Sequence, residues 1–239
     1  KVRCSRLARE VWDDEELAGR LEREAAELKE RFNRDFWIAE RGYFALALDG
    51  EKRQVDSLTS NIGLLLWSGI VDDDKAASVA EQLLGERLFS GWGVRTMAKG
   101  DAGYNPIEYH NGTVWPHDNS FIAAGLARYG FREEAARIAE AIFEAARFFD
   151  FRLPEVFAGY ERERTGAPVE YPTASSPQAW ATGAPLLLIR VQLGLEARDG
   201  ELEVDPVLPP SIATLSLRGL SGAWGKRDAD AVEVLTGGR

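Results

Sequence analysis

The sequence predicts an all-α architecture of concentric helical hairpins with a small β appendage. Three observations carry this. Amphipathic helices with one apolar face alternate three times with helices that are apolar nearly all round, across residues 13–193. The turn from an apolar helix to the next one-sided helix takes two or three residues, whereas each connection the other way exceeds twenty. Beyond residue 195, ELEVDPVLPP, ATLSLRGL and DAVEVLTGG alternate apolar and polar residues and carry Pro and Gly, as short strands do. Apolar helices therefore form an inner ring and one-sided helices an outer ring. A closed ring needs more hairpins than the three present, so an incomplete toroid or a segment of a longer protein is expected. The expected division is residues 1–194 as the hairpin toroid and 195–239 as a β-strand tail packed on it.

The first predicted helix spans residues 13–33. Asp13 or Asp14 can cap it, and the acids that follow suit the positive end of its dipole. Leu17, Leu21, Leu28 and Phe32 make one apolar stripe opposite a charged face. A connection follows over residues 34–56, with Gly42 and Asp49-Gly50 as turn signals and a short extended piece at Tyr43–Leu48.

Residues 57–69 form a second, buried helix with Ser57 as N-cap, Gly69 just beyond its end and Trp67 packed in the core. Residues 72–88 form a third, capped by Asp72 to Asp74, with Ala76, Val79, Ala80, Leu83 and Leu84 on one face. The fourth covers about 117–129 and stops at Gly130, and the fifth covers 132–149. The sixth begins at Ser175 or Ser176, holds Pro177 in its first turn and buries an LLLI centre before Leu193.

Long connections inside a compact domain are usually functional. All three emerge at the N-termini of the inner helices, at one end of the fold. The second, SGWGVRTMAKGDAGYNPIEYHNGTVWPHDN, contains both histidines of the chain. The third is FRLPEVFAGYERERTGAPVEYPTASSPQAW. Trp rings present flat apolar faces to a pyranose, and Asn, Asp, Gln, Arg and His exchange hydrogen bonds with its hydroxyls. Trp115 is thus the expected sugar-stacking platform. His117 and Asp118 lie in the first turn of an inner helix and reach toward the same pocket. Gln178 and Trp180 start the last inner helix.

Composition narrows the partners. Lys+Arg of 29 against Asp+Glu of 39 gives a net charge of −10, which argues against nucleic acid or an anionic membrane. Cys4 is the single cysteine, so no intrachain disulfide or thiolate-rich metal site is expected. No apolar run approaches the roughly 18 residues that span a bilayer. The opening KVRCSRLAREVW does not read as a signal peptide, which leaves a cytoplasmic location as the expectation. His110 and His117 are poorly spaced to ligate a metal with Asp118, and no cofactor or metal is expected.

The segments DSLTSNIGLLLWSGI, SGWGVRTM, YNPIEYHNGTVWPHDNSFIAAGL, RLPEVFAG and SSPQAWATGAPLLLI together resemble the amylo-α-1,6-glucosidase, glycogen-debranching-type family. That family is related to glucoamylase-like (α/α)6-toroid glycoside hydrolases. The resemblance runs in order over roughly Phe36–Leu193. It implies an inverting hydrolase of α-glucosidic linkages acting on an oligosaccharide or α-glucan. Such an enzyme uses one carboxylic acid to protonate the leaving oxygen and another to activate water.

The implied base is Glu155 in LPEVF, flanked by Leu153, Pro154, Val156 and Phe157 and hence partly desolvated. Glu161 and Glu170 are lesser candidates. Tyr109, His110 and Asn111 match the family's substrate loop, and Trp92 and Arg95 match its preceding loop. The implied acid is an Asp in an upstream tryptophan motif with no match before Trp37. It is expected on an N-terminal part of the toroid outside this chain, a possible partner. Two alternatives remain: a sugar epimerase or isomerase moving protons through His110 or His117, and a non-catalytic carbohydrate-binding fragment.

Overall fold

The computed structural model of the chain describes residues 1–232. Helices α1 (Val2–Glu10) and α2 (Glu15–Phe36) pair with each other and lead into two short hairpins. The first joins β1 (Trp37–Ile38) to β2 (Tyr43–Phe44), and the second joins β3 (Ala47–Leu48) to β4 (Gln54–Val55). Then come α3 (Asn61–Ser68), α4 (Asp73–Leu84), α5 (Pro116–Arg128), α6 (Arg132–Ala146), the one-turn α7 (Arg162–Thr165) and α8 (Ala179–Leu193). Two antiparallel hairpins follow, β5 (Leu195–Arg198) with β6 (Glu201–Val204), and β7 (Thr214–Gly222) with β8 (Gly225–Val232). The expected strand DAVEVLTGG extends past Val232, outside the described residues.

The inner row is α3, α5 and α8, with α5 packed between the other two. Helix α4 lies against α3 and α6 against α5 and α8. The core between the layers contains Leu58, Ile62, Leu66, Val79, Leu83, Ile122, Leu126, Ile138 and Ile142. Glycines let the inner helices approach closely. A methyl on Gly125 would lie 2.6 Å from the Trp67 amide nitrogen and 2.8 Å from the Gly63 carbonyl. One on Gly63 would lie 2.7 Å from Ile122. The hairpin order and the inner and outer assignment thus match the sequence reading.

Local signals explain most ends. Asp14 accepts from the Leu17 amide at 2.8 Å and starts α2. Gly69 adopts φ +79 and closes α3 with its amide on Leu65 O and Leu66 O. Asn33 ties α2 to the turn between α3 and α4, donating to Ile70 O at 2.7 Å and accepting from the Asp72 amide at 3.0 Å.

Several expectations need correction. The fold is about 44% helix and 18% strand, so a strict all-α class is too narrow; the extended piece expected at Tyr43–Leu48 holds β2 and β3, and β1 and β4 pair with them. Helix α1 has no counterpart among the expected helices. Ser60, not Ser57, precedes α3, and the Ser57 hydroxyl donates to Asp101 at 2.9 Å instead. Helix α8 starts at Ala179 with Gln178 as cap, so Pro177 lies outside it. Helix α3 is buried on one side only, and Trp67 is 36% exposed rather than core. The LLLI centre is not wholly buried either, since Leu186 is 68% exposed and Leu188 buried. Only the faces toward α5 and the outer helices are covered. Helix α2 buries Ala18 and Asn33, leaving Leu28 in solvent.

The tail has its own small core. Leu193 and Leu195 meet Ala229 and Ala231, with Ile189, Leu202, Leu215 and Leu217 around them. This cluster carries the β hairpins on the end of α8.

Candidate active site

The N-termini of α3, α5 and α8 open onto one cleft of about 600 Å³. Helix α3 brings Ser60 and Asn61, α5 brings Trp115, His117 and Asp118, and α8 brings Trp180. Helix N-termini carry unpaired amides and partial positive charge, so oxygen-rich ligands are favoured there. The third long connection adds Glu155, and the second adds Tyr109, His110 and Asn111.

Single backbone bridges hold these connections together. Val114 pairs with both Arg95 and Phe157, and Phe157 pairs with Glu170. Val114 and Phe157 exchange both amide-to-carbonyl bonds, at 2.9 and 3.0 Å. The chain bends at Glu155. Val156, Phe157 and Leu153 are buried while Glu155 lines the cleft. The apolar flanks of Glu155 are therefore anchors in the core rather than walls of its pocket. The Glu155 amide donates to Ser175 O at 2.9 Å. Asn119 fixes α5 against the second connection, accepting from the Val94 amide at 2.7 Å and donating to Val94 O and Trp115 O.

The Tyr109 hydroxyl donates to Glu155 Oε1 at 2.7 Å. This bond, with desolvation added, pushes the phenol up to about 12. Trp115 is 5% exposed; its indole nitrogen donates to Tyr109 O and Thr113 Oγ1, each at 3.1 Å. Its ring stands edge-on to Tyr109 and lies against His110. Trp115 is therefore mostly scaffold, and Trp180, 50% exposed, is the open indole of the cleft. His117 has its Nδ1 buried without a partner. Burial pushes this imidazole down from its ordinary value, with the Glu155 charge acting the other way. Asp118 lines the cleft and is half-buried. Burial pushes its carboxyl up, and the neighbouring Ser60 hydroxyl opposes that shift.

Three expected site residues do not face the cleft. Arg95 is 0% exposed and donates to Gly159 O at 2.6 Å and to Glu86 O and Arg87 O. Trp92 is 2% exposed and packs on Phe148 beneath Arg162. Gln178 spends its side-chain oxygen on the Trp180 and Ala181 amides. Glu161 binds Lys99 at 2.6 Å, and Glu170 lies in the bridge beyond Phe157. Neither lines the cleft. The cleft also includes Leu46, Thr59, Thr96 and Met97, which the sequence reading does not single out. A signal exists for Thr59 and Ser60, which precede an inner helix as the other site residues do. Leu46, Thr96 and Met97 have ordinary core composition and give none. Among the described residues no group of three or more His, Cys, Asp or Glu is placed to hold a metal ion. None of the described helices is long and apolar enough to cross a membrane.

Residues 3–181 match the family described as the mannosylglycerate hydrolase MGH1-like glycoside hydrolase domain. The chain belongs to this family. A mannosylglycerate hydrolase from Rubrobacter radiotolerans is 30% identical over 148 residues, covering 59% of this chain and 33% of that protein. The chain thus spans about a third of the length of this curated relative. Two solved structures share the fold. The neutral trehalase of Saccharomyces cerevisiae has a TM-score of 0.59 at 16% identity, over 80% of this chain and 35% of that one. The mannosylglycerate hydrolase of Thermus thermophilus, in complex with Tris, has 0.51 at 22%, over 65% and 34%. The MGH1-like chain is therefore a glycoside hydrolase domain of the (α/α)6 kind. The resemblance in its motifs identified that broad class; the family is not specifically the glycogen-debranching one.

Proposed function

We propose that this chain supplies the base side of an inverting glycoside hydrolase acting on a neutral α-linked glucoside. The reading rests on one observation above the others. The Glu155 carboxylate is held at the wall of a sugar-sized cleft, beside the open indole of Trp180 and the hydroxyl-binding groups Asn61, Asn111, His117 and Asp118. A general base in such an enzyme removes a proton from water as that water attacks the anomeric carbon. In this reading Glu155 takes the proton, Trp180 receives the apolar face of the sugar, and Asp118 with Asn61 binds its hydroxyls. The acid that protonates the leaving oxygen comes from hairpins outside this chain.

The curated relative is named for a mannoside of glycerate. A glycerate carboxylate calls for a cation, and none of the residues lining this cleft is Lys or Arg. This favours a neutral sugar against the wall built here.

The test is turnover of maltooligosaccharides and of mannosylglycerate by the whole protein that carries this chain, with and without Glu155→Gln. Loss of a general base lowers kcat by about 10²- to 10⁴-fold. NMR of the first product should show the β anomer. Undiminished turnover in Glu155→Gln, or release of the α anomer, sinks the assignment.

A further inference from the structure

We propose that Tyr109 is a positioning residue for Glu155, acting through the carboxylate rather than as a contact to the sugar. This rests on the reading of Glu155 as the base. Tyr109 Oη donates to Oε1 at 2.7 Å, while Oε2 has the Ser175 amide at a loose 3.4 Å. One oxygen is thereby pinned and the other is left to face water. A carboxylate without such a bond rotates about its last torsion, whose preference is broad. A base must instead present one lone pair along a fixed line.

The tyrosine is itself well fixed. Its carbonyl accepts from the Thr113 hydroxyl at 2.7 Å and from the Trp115 indole at 3.1 Å. Its ring meets Trp115 at 4.7 Å and Tyr171 at 5.6 Å between centres. The loop behind it is tightly closed, with Asn105 N on Asn111 O, Glu108 N on Asn105 O and Asn111 N on Glu108 O. Tyr109 and Glu155 belong to different long connections, joined by the Val114–Phe157 bridge. Their bond thus transmits the order of one connection to the reactive group of the other.

The experiment compares wild type, Tyr109→Phe, Glu155→Gln and the double variant in the whole protein. Tyr109→Phe keeps the ring and its packing, and an unchanged thermal midpoint verifies folding. The expected result is a kcat lower by about 10-fold, the scale of one hydrogen bond to a charged group, with KM within about twofold. The double variant should be no worse than Glu155→Gln alone. An unchanged kcat, a rise in KM at constant kcat, or additive losses overturns the positioning role. NMR adds a readout independent of turnover: a slowly exchanging Tyr109 hydroxyl proton seen in wild type and lost in Glu155→Ala, which removes the acceptor. Its persistence there also overturns the proposal. The two assignments fail differently. Full turnover in Glu155→Gln removes the base itself, whereas an inactive Glu155→Gln beside a wild-type Tyr109→Phe removes only the positioning.

Discussion

The imidazole of His117 lies flat on the indole of Trp180, with ring centres 4.0 Å apart and planes 10° from parallel. The two residues stand in the first turns of α5 and α8, so their stack joins two inner helices at the cleft. One indole face is taken by the imidazole. With half its surface still open, the indole is the aromatic surface of the cleft best placed for a sugar ring.

Trp180→Ala should therefore weaken sugar binding by about 3- to 10-fold, the range of a single aromatic contact of about 0.5–1.5 kcal/mol. Titration calorimetry with a maltooligosaccharide would measure it. Equal affinity in the variant assigns sugar stacking elsewhere. The same substitution at Trp115 should lower stability as well, since that ring is 5% exposed and doubly hydrogen-bonded.

Asp118 links function to stability. Its carboxyl is pushed up by burial, with Ser60 opposing, so the folded chain holds this proton after the unfolded chain has released it. Stability from this group is full below the ordinary Asp value near pH 3.9 and falls as pH rises through the raised value. Asp118→Asn removes that loss. Urea unfolding from pH 4 to pH 8 should show the variant gaining on wild type as pH rises, while its sugar affinity drops. A pH-independent difference between the two would contradict the burial argument.

Arg95 should behave as a structural clamp. Its guanidinium bonds three backbone carbonyls from two segments while fully buried. Arg95→Met leaves those acceptors without their charged donor, at a cost of about 3 kcal/mol. Chemical denaturation should show the loss, accompanied by faster amide exchange at Gly159 and its neighbours. A stable variant with a selective KM defect would return Arg95 to the substrate.

Gly125 marks where α3 and α5 touch. A methyl there meets the Trp67 amide and the Gly63 carbonyl, and backbone cannot step aside as a side-chain tip can. Gly125→Ala should cost about 2 kcal/mol through overpacking, despite the gain in helix propensity, and lower Tm by roughly 4–8 °C. An equal or higher Tm would show that the helices separate freely.

Much of the fold can be read from local pattern. The stripe of Ala76, Val79, Ala80 and Leu83 and the cap at Asp14 are set by neighbours within a turn or two. The placement of three long connections at inner-helix N-termini follows from their lengths, and those N-termini do meet at the cleft. Pattern and structure part where an open face replaces an expected neighbour, as at Trp67 and Leu186.

By itself, the sequence determined the hairpin order, the inner and outer helices, the β tail and the loops that carry Glu155, Tyr109, His117 and Asp118. Those depend on periodicity, capping and chain length, which are properties of adjacent residues. Which side chains of those loops face the cleft was decided by tertiary structure. Trp92, Trp115 and Trp180 look alike in sequence, all in polar connections that run into helices. Pairing of Val114 with Arg95 and Phe157 places Arg95 within the protein and Glu155 at the cleft. That pairing is fixed by contacts between segments 19 and 43 residues apart, which no local pattern encodes.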